Sequence, residues 1–509
     1  MSGPGTLVWF ARHECRLAWR DWLSMMTAGR RRRARSIALG LVVFVLFMHG
    51  LAYVMVGRYA HVSIGADKTA LLVITGNALL SAMLMLSQAM ESVTRAFYTR
   101  GDLDLILSSP ASARRLFSVR IAAMALSITV MAMLLAAPFI DVLAVGGGAR
   151  WLGAYGVVAA MGMASTAFAV ALTVALFRTL GPRRTRLVAQ IVAAVIGAAF
   201  VIGLQVAAIF SAGTLSRIAF LQSPALAALT PDAGSVLWWP ARAMLGDVGA
   251  LVAVLAASMA LLGGAILVFA PRFADHALAA AGVAAGATHR RGRRRGFRRM
   301  SPMQALRRKE WALLRRDPWL LSQTLMQLLY LLPPALLLWR GFASGMGIPA
   351  LLVPVLVMAA GQLAGGLAWL AISGEDAPDL IASAPVSARA VMRAKIEAVL
   401  GAVALVFAPF VAALMLGSPA AGLVAALFIV IVAAASTAIQ FWFRSQARRS
   451  QFRRRQTSSR IATFAEALSS VLWSATAALA ALGTWLAVAP GLLALAILAG
   501  TRFISPARR

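Results

Sequence analysis

The sequence has few charged residues, very few acids and a single cysteine. Only 13% of its 509 residues are charged, and 17 acids stand against 49 lysines and arginines. Cys15 is the one cysteine, which excludes an intrachain disulfide and a multi-cysteine metal site. No G-x-x-x-x-G-K-S/T motif occurs, and none of the lysines follows a glycine-rich turn. The chain therefore lacks a recognisable phosphate cradle, and we expect that it does not hydrolyse ATP by itself.

The sequence is instead rich in apolar residues, which make up 61% of the chain and give a mean hydropathy of +0.81. This composition lies outside the range of soluble domains and predicts an all-α integral membrane protein. A helix needs about 20 apolar residues to cross a bilayer. Runs of that length predict about twelve transmembrane helices: 36–57, 70–90, 119–144, 151–177, 187–212, 249–271, 319–339, 348–372, 396–416, 420–443, 461–484 and 487–504.

The positive charges lie between the apolar runs, in every second connecting segment. The basic segments are 1–35, 91–118, 178–186, 272–318, 373–395, 444–460 and 502–509. In a soluble protein a formal charge of +32 indicates nucleic-acid binding, but alternation along the chain is the pattern of cytoplasmic loops. We therefore expect no nucleic-acid partner, a multi-pass protein with both termini in the cytoplasm, and at most additional contacts with membrane lipid.

A short charged motif occurs twice, each time just before the first span of one half of the chain. RHECRLAWRDWL (12–23) aligns with RRKEWALLRRDPWL (307–320). Glu14, Arg20 and Asp21 match Glu310, Arg316 and Asp317. The first copy places Arg12, Arg16 and Arg20 on one helix face, which is typical of a helix in the headgroup plane. Simple membrane anchoring and a more specific role both fit this pattern.

A second motif lies between the second and third spans of each half. Asp104, Pro110, Ser112, Arg114 and Arg120 in the first copy match Asp379, Pro385, Ser387, Arg389 and Lys395 in the second. The pattern predicts a short helix, a break at the proline, and a second short helix that begins near the serine, whose hydroxyl can cap it. A connector needs only a few polar residues, so retention of this pattern in both halves favours a docking surface over an inherited loop.

The two motifs predict a duplicated six-span unit. Because six is even, both halves begin on the same side of the membrane and run parallel. The predicted organisation is a first six-span half at 1–280, a basic cytoplasmic linker at 281–300 and a second six-span half at 301–509. The glycines of GQLAGGLAWL at 361, 365 and 366 fit close helix packing inside a span, because no polar residues surround them in the sequence.

Taken with the spans around them, the motifs ESVTRAFYTRGDLDLILSSPASARRLFSVR and GEDAPDLIASAPVSARAVMRAK resemble the permease subunits of bacterial type-2 ABC exporters, here with two halves fused in one chain. The resemblance implies a location in the bacterial cytoplasmic (inner) membrane. It implies two copies of a cytoplasmic ABC ATPase subunit as partners, which would bind ATP and Mg, and no cofactor, metal or catalytic residue in this chain.

The resemblance also assigns roles to the repeated motifs. It places coupling loops, which dock the ATPase, on Asp104, Pro110, Ser112, Arg114, Asp379, Pro385, Ser387 and Arg389. It places interfacial connecting helices on Glu14, Arg20, Asp21, Glu310, Arg316 and Asp317. Family members have short helices between spans five and six, which 221–247 suits; only the region of AVAPG separates spans eleven and twelve. The apolar spans fit a lipid-like, amphiphilic or drug-like cargo.

Two other classes of protein stay open at this stage. An ion-coupled carrier with 12 helices places ionisable residues within its bundle, and His49, Asp141 and Glu466 lie inside predicted spans. We interpret these three as packed or interfacial polar groups, because none has an obvious charged partner in the sequence. A non-transporting membrane assembly subunit is the second alternative, and the few histidines give little support to a membrane enzyme.

Overall fold

A computed structural model gives the fold of the chain. It describes residues 7–27, 34–60, 68–98, 113–212, 220–286, 300–316, 329, 336, 349–373, 378–443 and 460–505. Every regular element in these ranges is helical, which confirms the all-α prediction for them. Ten helical segments in these ranges are long and apolar enough to cross a membrane, so the protein is a multi-span membrane protein.

The chain divides into two compact units, residues 1–290 and 291–509. The first unit contains α1 (Leu7–Thr27), α2 (Ala34–Val56), α3 (Lys68–Tyr98), α4 (Ala113–Gly147), α5 (Gly153–Ala212), α6 (Pro224–Leu229), α7 (Trp239–Met244) and α8 (Val248–Gly286). The second contains α9 (Pro302–Arg316), α10 (Pro349–Ser373), α11 (Pro378–Ser383), α12 (Ala388–Gly417), α13 (Pro419–Phe443), α14 (Arg460–Ala481) and α15 (Val488–Ile504). Helix α8 continues past residue 281, at which the predicted linker begins.

The ten membrane-spanning segments correspond to ten of the predicted spans, and two of them lie in α5. Helix α2 covers all but the last residue of the predicted span 36–57 but is not among those ten. The predicted span 319–339 lies outside the described residues, apart from two single positions. The total of twelve spans and the six-span repeat therefore stay predictions.

Helix α5 holds two spans joined at a single glycine. The sequence predicts a loop over 178–186, whereas the helix breaks only at Gly181, which has φ 70° and ψ 166°. Glycine reaches this positive φ without the steric cost of a Cβ atom. The Thr185 hydroxyl donates to the carbonyls of Leu176 (3.0 Å) and Gly181 (2.8 Å), so it bonds across the break. In place of the predicted loop, the structure therefore has a kink at Gly181.

The segment between α5 and α8 contains the expected short helices, α6 and α7. Ser223 caps α6 by accepting a hydrogen bond from the Leu226 amide at 3.4 Å. Trp238 is buried and packs with Leu71 at the start of α3 and with Trp151. In the second unit, Gly483 (φ 69°) and one 3-10 turn are all that separate α14 from α15. The short separation predicted between the last two spans is present, but it lies at 482–487, and all of AVAPG except Ala487 belongs to α15.

A glycine allows α5 to start directly against α7. A Cβ atom on Gly153 would overlap the backbone carbonyl oxygen of Ala243, which cannot turn away as a side chain can. We expect Gly153→Ala to lower the free energy of unfolding by about 1–3 kcal/mol, the usual cost of overpacking. Denaturant titration of the purified protein in detergent measures the change.

The matched control is Gly263→Ala on α8, where a Cβ atom would meet no atom within 4 Å. Alanine also has the higher helix propensity. We expect this variant to be as stable as the wild type or slightly more stable. Equal stability of the Gly153 and Gly263 variants would contradict the close contact between α5 and α7.

Candidate functional site

The second copy of the loop motif leads directly into a membrane span. Its first residues, 374–377, and the side chain of Asp379 lie outside the described part. Helix α11 is followed by a turn in which Pro385 is exposed. Ser387 then caps α12, since its hydroxyl accepts from the Ala390 amide at 3.2 Å. The sequence predicts two short helices here, but the second is the beginning of the long α12, because no breaking residue follows the cap.

A buried ion pair joins the two repeated motifs of the second unit. Glu310 on α9 is 1% exposed and Lys395 on α12 is 7% exposed. Lys395 Nζ lies 3.0 Å from Glu310 Oε1, and it also donates to the carbonyl oxygen of Ala371 near the end of α10. Lys309 Nζ lies 3.2 Å from the same Glu310 oxygen. The Lys395 ammonium group on α12 therefore contacts both α9 and α10, close to the two ends of segment 374–387.

A second, exposed ion network lies beside this pair. Arg307 on α9 donates two hydrogen bonds to the carboxylate of Glu397 on α12, at 2.6 Å and 3.1 Å. Arg393 donates to the same carboxylate at 2.9 Å. The hydrogen bonds to Glu397 raise the pKa of Arg307 above its ordinary value. This bidentate geometry fixes the orientation of α9 along the first turns of α12.

An open cavity of about 450 Å³ runs along the first turns of α12. Its lining residues are Ala388, Arg389, Met392, Arg393, Ile396 and Glu397. They recur every three or four positions and so share one face of the helix. The lining thus combines apolar side chains with charged ones, a composition suited to a protein contact. Arg389, which the sequence singles out, is exposed in this cavity.

The first unit has the same pairing of helices. Helix α1 packs against α4, as α9 packs against α12. Arg114 is exposed in the first turn of α4. Arg120, which the sequence matches to Lys395, is buried, and its guanidinium carbon lies 5.9 Å from the Phe117 ring centroid. Glu14 is half-buried on α1.

The remaining predicted residues fall partly outside the described part of the chain. Asp104, Pro110, Ser112 and Asp317 lie outside it, as do the side chains of Asp21 and Arg316. Arg20 is exposed on α1. The structure therefore brings Glu310 to the base of the second loop motif, and it does not test the assignment of the other residues to docking.

Sequence reasoning missed the partners of several polar residues. His49 Nε2 lies 3.4 Å from Asp141 Oδ2, and the Tyr155 hydroxyl donates to Asp141 Oδ1 at 2.7 Å. Gln440 donates a hydrogen bond to Glu466. The interpretation of His49, Asp141 and Glu466 as packed or interfacial polar groups stays a prediction, but each has a partner on another helix that the sequence did not reveal. No local pattern could have identified contacts over such separations.

The chain was compared with known proteins. No protein-family model matches it, and no curated protein matches it.

Proposed function

We propose that this chain is the transmembrane permease of an ATP-driven exporter of the ABC type. Two copies of a separate ATPase subunit bind ATP and Mg and dock on the two repeated loops. The permease moves a substrate out of the cytoplasm or the inner leaflet, across the bacterial cytoplasmic membrane. This chain supplies the path and the docking surfaces but no catalytic residue.

The ion pair of Lys395 with Glu310, together with the hydrogen bond of Lys395 to the Ala371 carbonyl, is the observation that supports this proposal most directly. Segment 374–387 leaves α10 just after Ala371 and enters α12 about two turns before Lys395. The two ends of the loop are therefore fastened to each other and to α9. A force that reaches the ends of this loop therefore acts on three helices together. This is the mechanical property that a docking loop needs in order to drive alternating access.

The composition of the docking face supports a protein partner at this loop. Arg389 and Arg393 line the cavity and are exposed, and Met392 and Ile396 supply apolar contact area. Arginine and methionine are enriched at the cores of protein interfaces. In the first unit, Arg114 occupies the matching position at the start of α4 and is likewise exposed. Two such loops in one chain fit two ATPase subunits.

The exposed faces of the spans support a lipid-like, amphiphilic or drug-like cargo. Large apolar side chains such as Leu134, Leu405 and Val430 are exposed on the membrane-spanning helices. No group of three or more histidine, cysteine or acidic side chains that could hold a metal ion occurs in the described ranges. Apolar helix faces give an amphiphile a path that costs little to desolvate.

Site-specific photo-crosslinking tests the docking proposal. A benzoylphenylalanine at position 389 is expected to capture a polypeptide that carries a Walker-type nucleotide site, identified by mass spectrometry. The matched control is the same group at position 405, because Leu405 lies on the same helix and is 72% exposed. We expect no ATPase adduct at 405. Absence of an ATPase adduct at 389, or equal adducts at both positions, would refute docking at this loop.

A further inference from the structure

Three half-buried polar side chains from α2, α4 and α5 meet in the first unit. His49 Nε2 on α2 lies 3.4 Å from Asp141 Oδ2 on α4, and the Tyr155 hydroxyl on α5 donates to Asp141 Oδ1 at 2.7 Å. His49 and Asp141 each lie about two turns before the end of their helix. The cluster is therefore near the ends of α2 and α4 that are remote from the basic segments 1–35 and 91–118.

Both ring nitrogens of His49 face oxygen acceptors. Nδ1 lies 2.8 Å from the carbonyl oxygen of Val45, one turn earlier on α2, and Nε2 faces the Asp141 carboxylate. A neutral imidazole carries a single N–H, so one of its two nitrogens would direct a lone pair at an oxygen. An imidazolium donates from both nitrogens and satisfies both contacts. The geometry therefore favours a ring that carries a hydrogen on each nitrogen.

The extra proton of this contact belongs on the imidazole rather than on the carboxylate. Asp141 Oδ1 accepts from the Tyr155 hydroxyl, so that oxygen has a donor without carrying a proton itself. A free imidazole is also a stronger base than a free carboxylate, by roughly two to three pH units. The proton therefore lies on His49 Nε2, and the contact with Asp141 is an ion pair.

Among the described residues, Asp141 is the charged side chain that pairs with His49. Helix α2 also packs against α1, whose charged residues belong to the basic segment 1–35, next to the other end of α2. The other charged side chains near this end of the unit have partners elsewhere: Arg58 with the Tyr59 hydroxyl, Lys68 with Asp232, Arg150 with the Ala60 carbonyl and Arg242 with Asp247. The proton is therefore shared between His49 and Asp141 alone in this part of the chain.

The pair lies on the narrow face by which α2 contacts the rest of the unit. Ala52, one turn after His49, is fully buried, whereas Leu46 and Val54 are exposed. Residues three or four positions apart share one face of a helix, so His49 and Ala52 face the same side. Because so little of α2 is buried near this end, the ion pair supplies a large part of its attachment to α4.

We propose that His49 and Asp141 form a proton-binding site, whose imidazolium–carboxylate pair fastens α2 to α4. Loss of the proton leaves a neutral ring that can donate to Val45 or to Asp141 but not to both. The end of α2 then separates from α4. Ionisable residues within membrane helices commonly mark functional sites. This site includes neither of the repeated loops, so it does not depend on the proposed ATPase.

Nitrogen NMR of the purified full chain, isotopically labelled at its histidines, measures the bound proton directly. The His49 signals are assigned by their loss in His49→Gln. At a pH of about 7.5, where a free histidine is mostly neutral, we expect both ring nitrogens of His49 to carry a hydrogen. In Asp141→Asn, the second hydrogen is expected to be lost at lower pH than in the wild type. Asp232→Asn, which removes an exposed acid of the same unit, should leave the His49 signals unchanged.

The distance between two spin labels tests whether the proton fastens α2. The labels are attached to Val54→Cys and Val145→Cys, which replace exposed residues near the ends of α2 and α4, in a chain that also carries Cys15→Ser. We expect the distance to lengthen and its distribution to broaden as the pH rises through the titration of His49. In Asp141→Asn the long distance is expected at every pH.

A single ring hydrogen on His49 at a pH of about 7.5 would overturn the proposal, because the site would then hold no extra proton. An unchanged distance distribution across the titration of His49 would overturn it as well. If Asp141→Asn is not monodisperse, the wild-type spectrum and the wild-type distances carry the test. Since no ATPase is present, the outcome is independent of whether the chain docks one.

Discussion

Replacement of Glu310 by alanine is expected to destabilise the protein by about 3–5 kcal/mol, the usual cost of removing one member of a buried ion pair. The loss arises because the Lys395 ammonium would stay buried beside an apolar methyl group. Its bond to the Ala371 carbonyl cannot replace a full negative charge. Denaturant titration of the purified protein measures the free energy of unfolding, and size-exclusion chromatography reports on its dispersity.

The double variant Glu310→Met with Lys395→Met separates loss of an ion pair from loss of packing. Two apolar residues of similar volume often replace a buried pair with little or no loss. We expect the double variant to recover most of the stability that Glu310→Ala loses. Lys309 is about one-third exposed and can turn to solvent. A double variant as unstable as the sum of its two single variants would contradict a coupled pair.

The exposed neighbour of this pair provides a control. Glu397 accepts from Arg307 and Arg393 at the surface, where water screens the interaction. We expect Glu397→Gln to unfold at nearly the wild-type denaturant concentration. A loss as large as that of Glu310→Ala would show that burial does not distinguish the two sites.

Reversal of two exposed arginines, Arg114→Glu together with Arg389→Glu, is expected to abolish association with the ATPase while membrane insertion stays intact. Both side chains are exposed in the first turn of a span, and neither belongs to the buried pair. Each reversal changes the local charge by two units in a surface that must approach another protein, and like charges across an interface cost several kcal/mol. The ratio of ATPase to permease after affinity purification measures the effect.

The control for this variant is Arg58→Glu, since Arg58 is exposed after α2, at the opposite end of that helix from the basic segment 1–35. It should purify with the ATPase at the wild-type ratio. If the double variant also retained that ratio, the two arginines would not belong to a docking surface.

Hydropathy predicted the membrane-crossing part of the helices well but not their full lengths. The predicted span 70–90 lies within α3, which runs from Lys68 to Tyr98, and the predicted span 396–416 lies within α12, which begins at Ala388. Both helices extend beyond the apolar window because backbone hydrogen bonding continues into polar sequence. Hydropathy identifies only the residues that lie in the hydrocarbon layer of the membrane. The boundary between the last two spans was predicted at the AVAPG region, a few residues beyond the break at Gly483.

Local signals in the candidate site were predictable, whereas contacts over long sequence separations were not. The Ser387 cap depends on residues next to it, so the Ser-Ala-Arg pattern sufficed. The pair Glu310–Lys395 joins positions 85 residues apart, and no periodicity encodes such a partner. The same holds for Gly365, whose neighbours in sequence are apolar but whose neighbour in space is the carboxylate of Glu466.

The most direct test of the permease proposal is affinity purification of the tagged wild-type chain in mild detergent, with mass spectrometry and an ATPase assay on the eluate. We predict a partner that carries a Walker-type nucleotide site, at two copies per chain, together with ATP hydrolysis that this chain alone does not perform. A protein that purifies alone and without ATPase activity would contradict the proposal and favour an ion-coupled carrier.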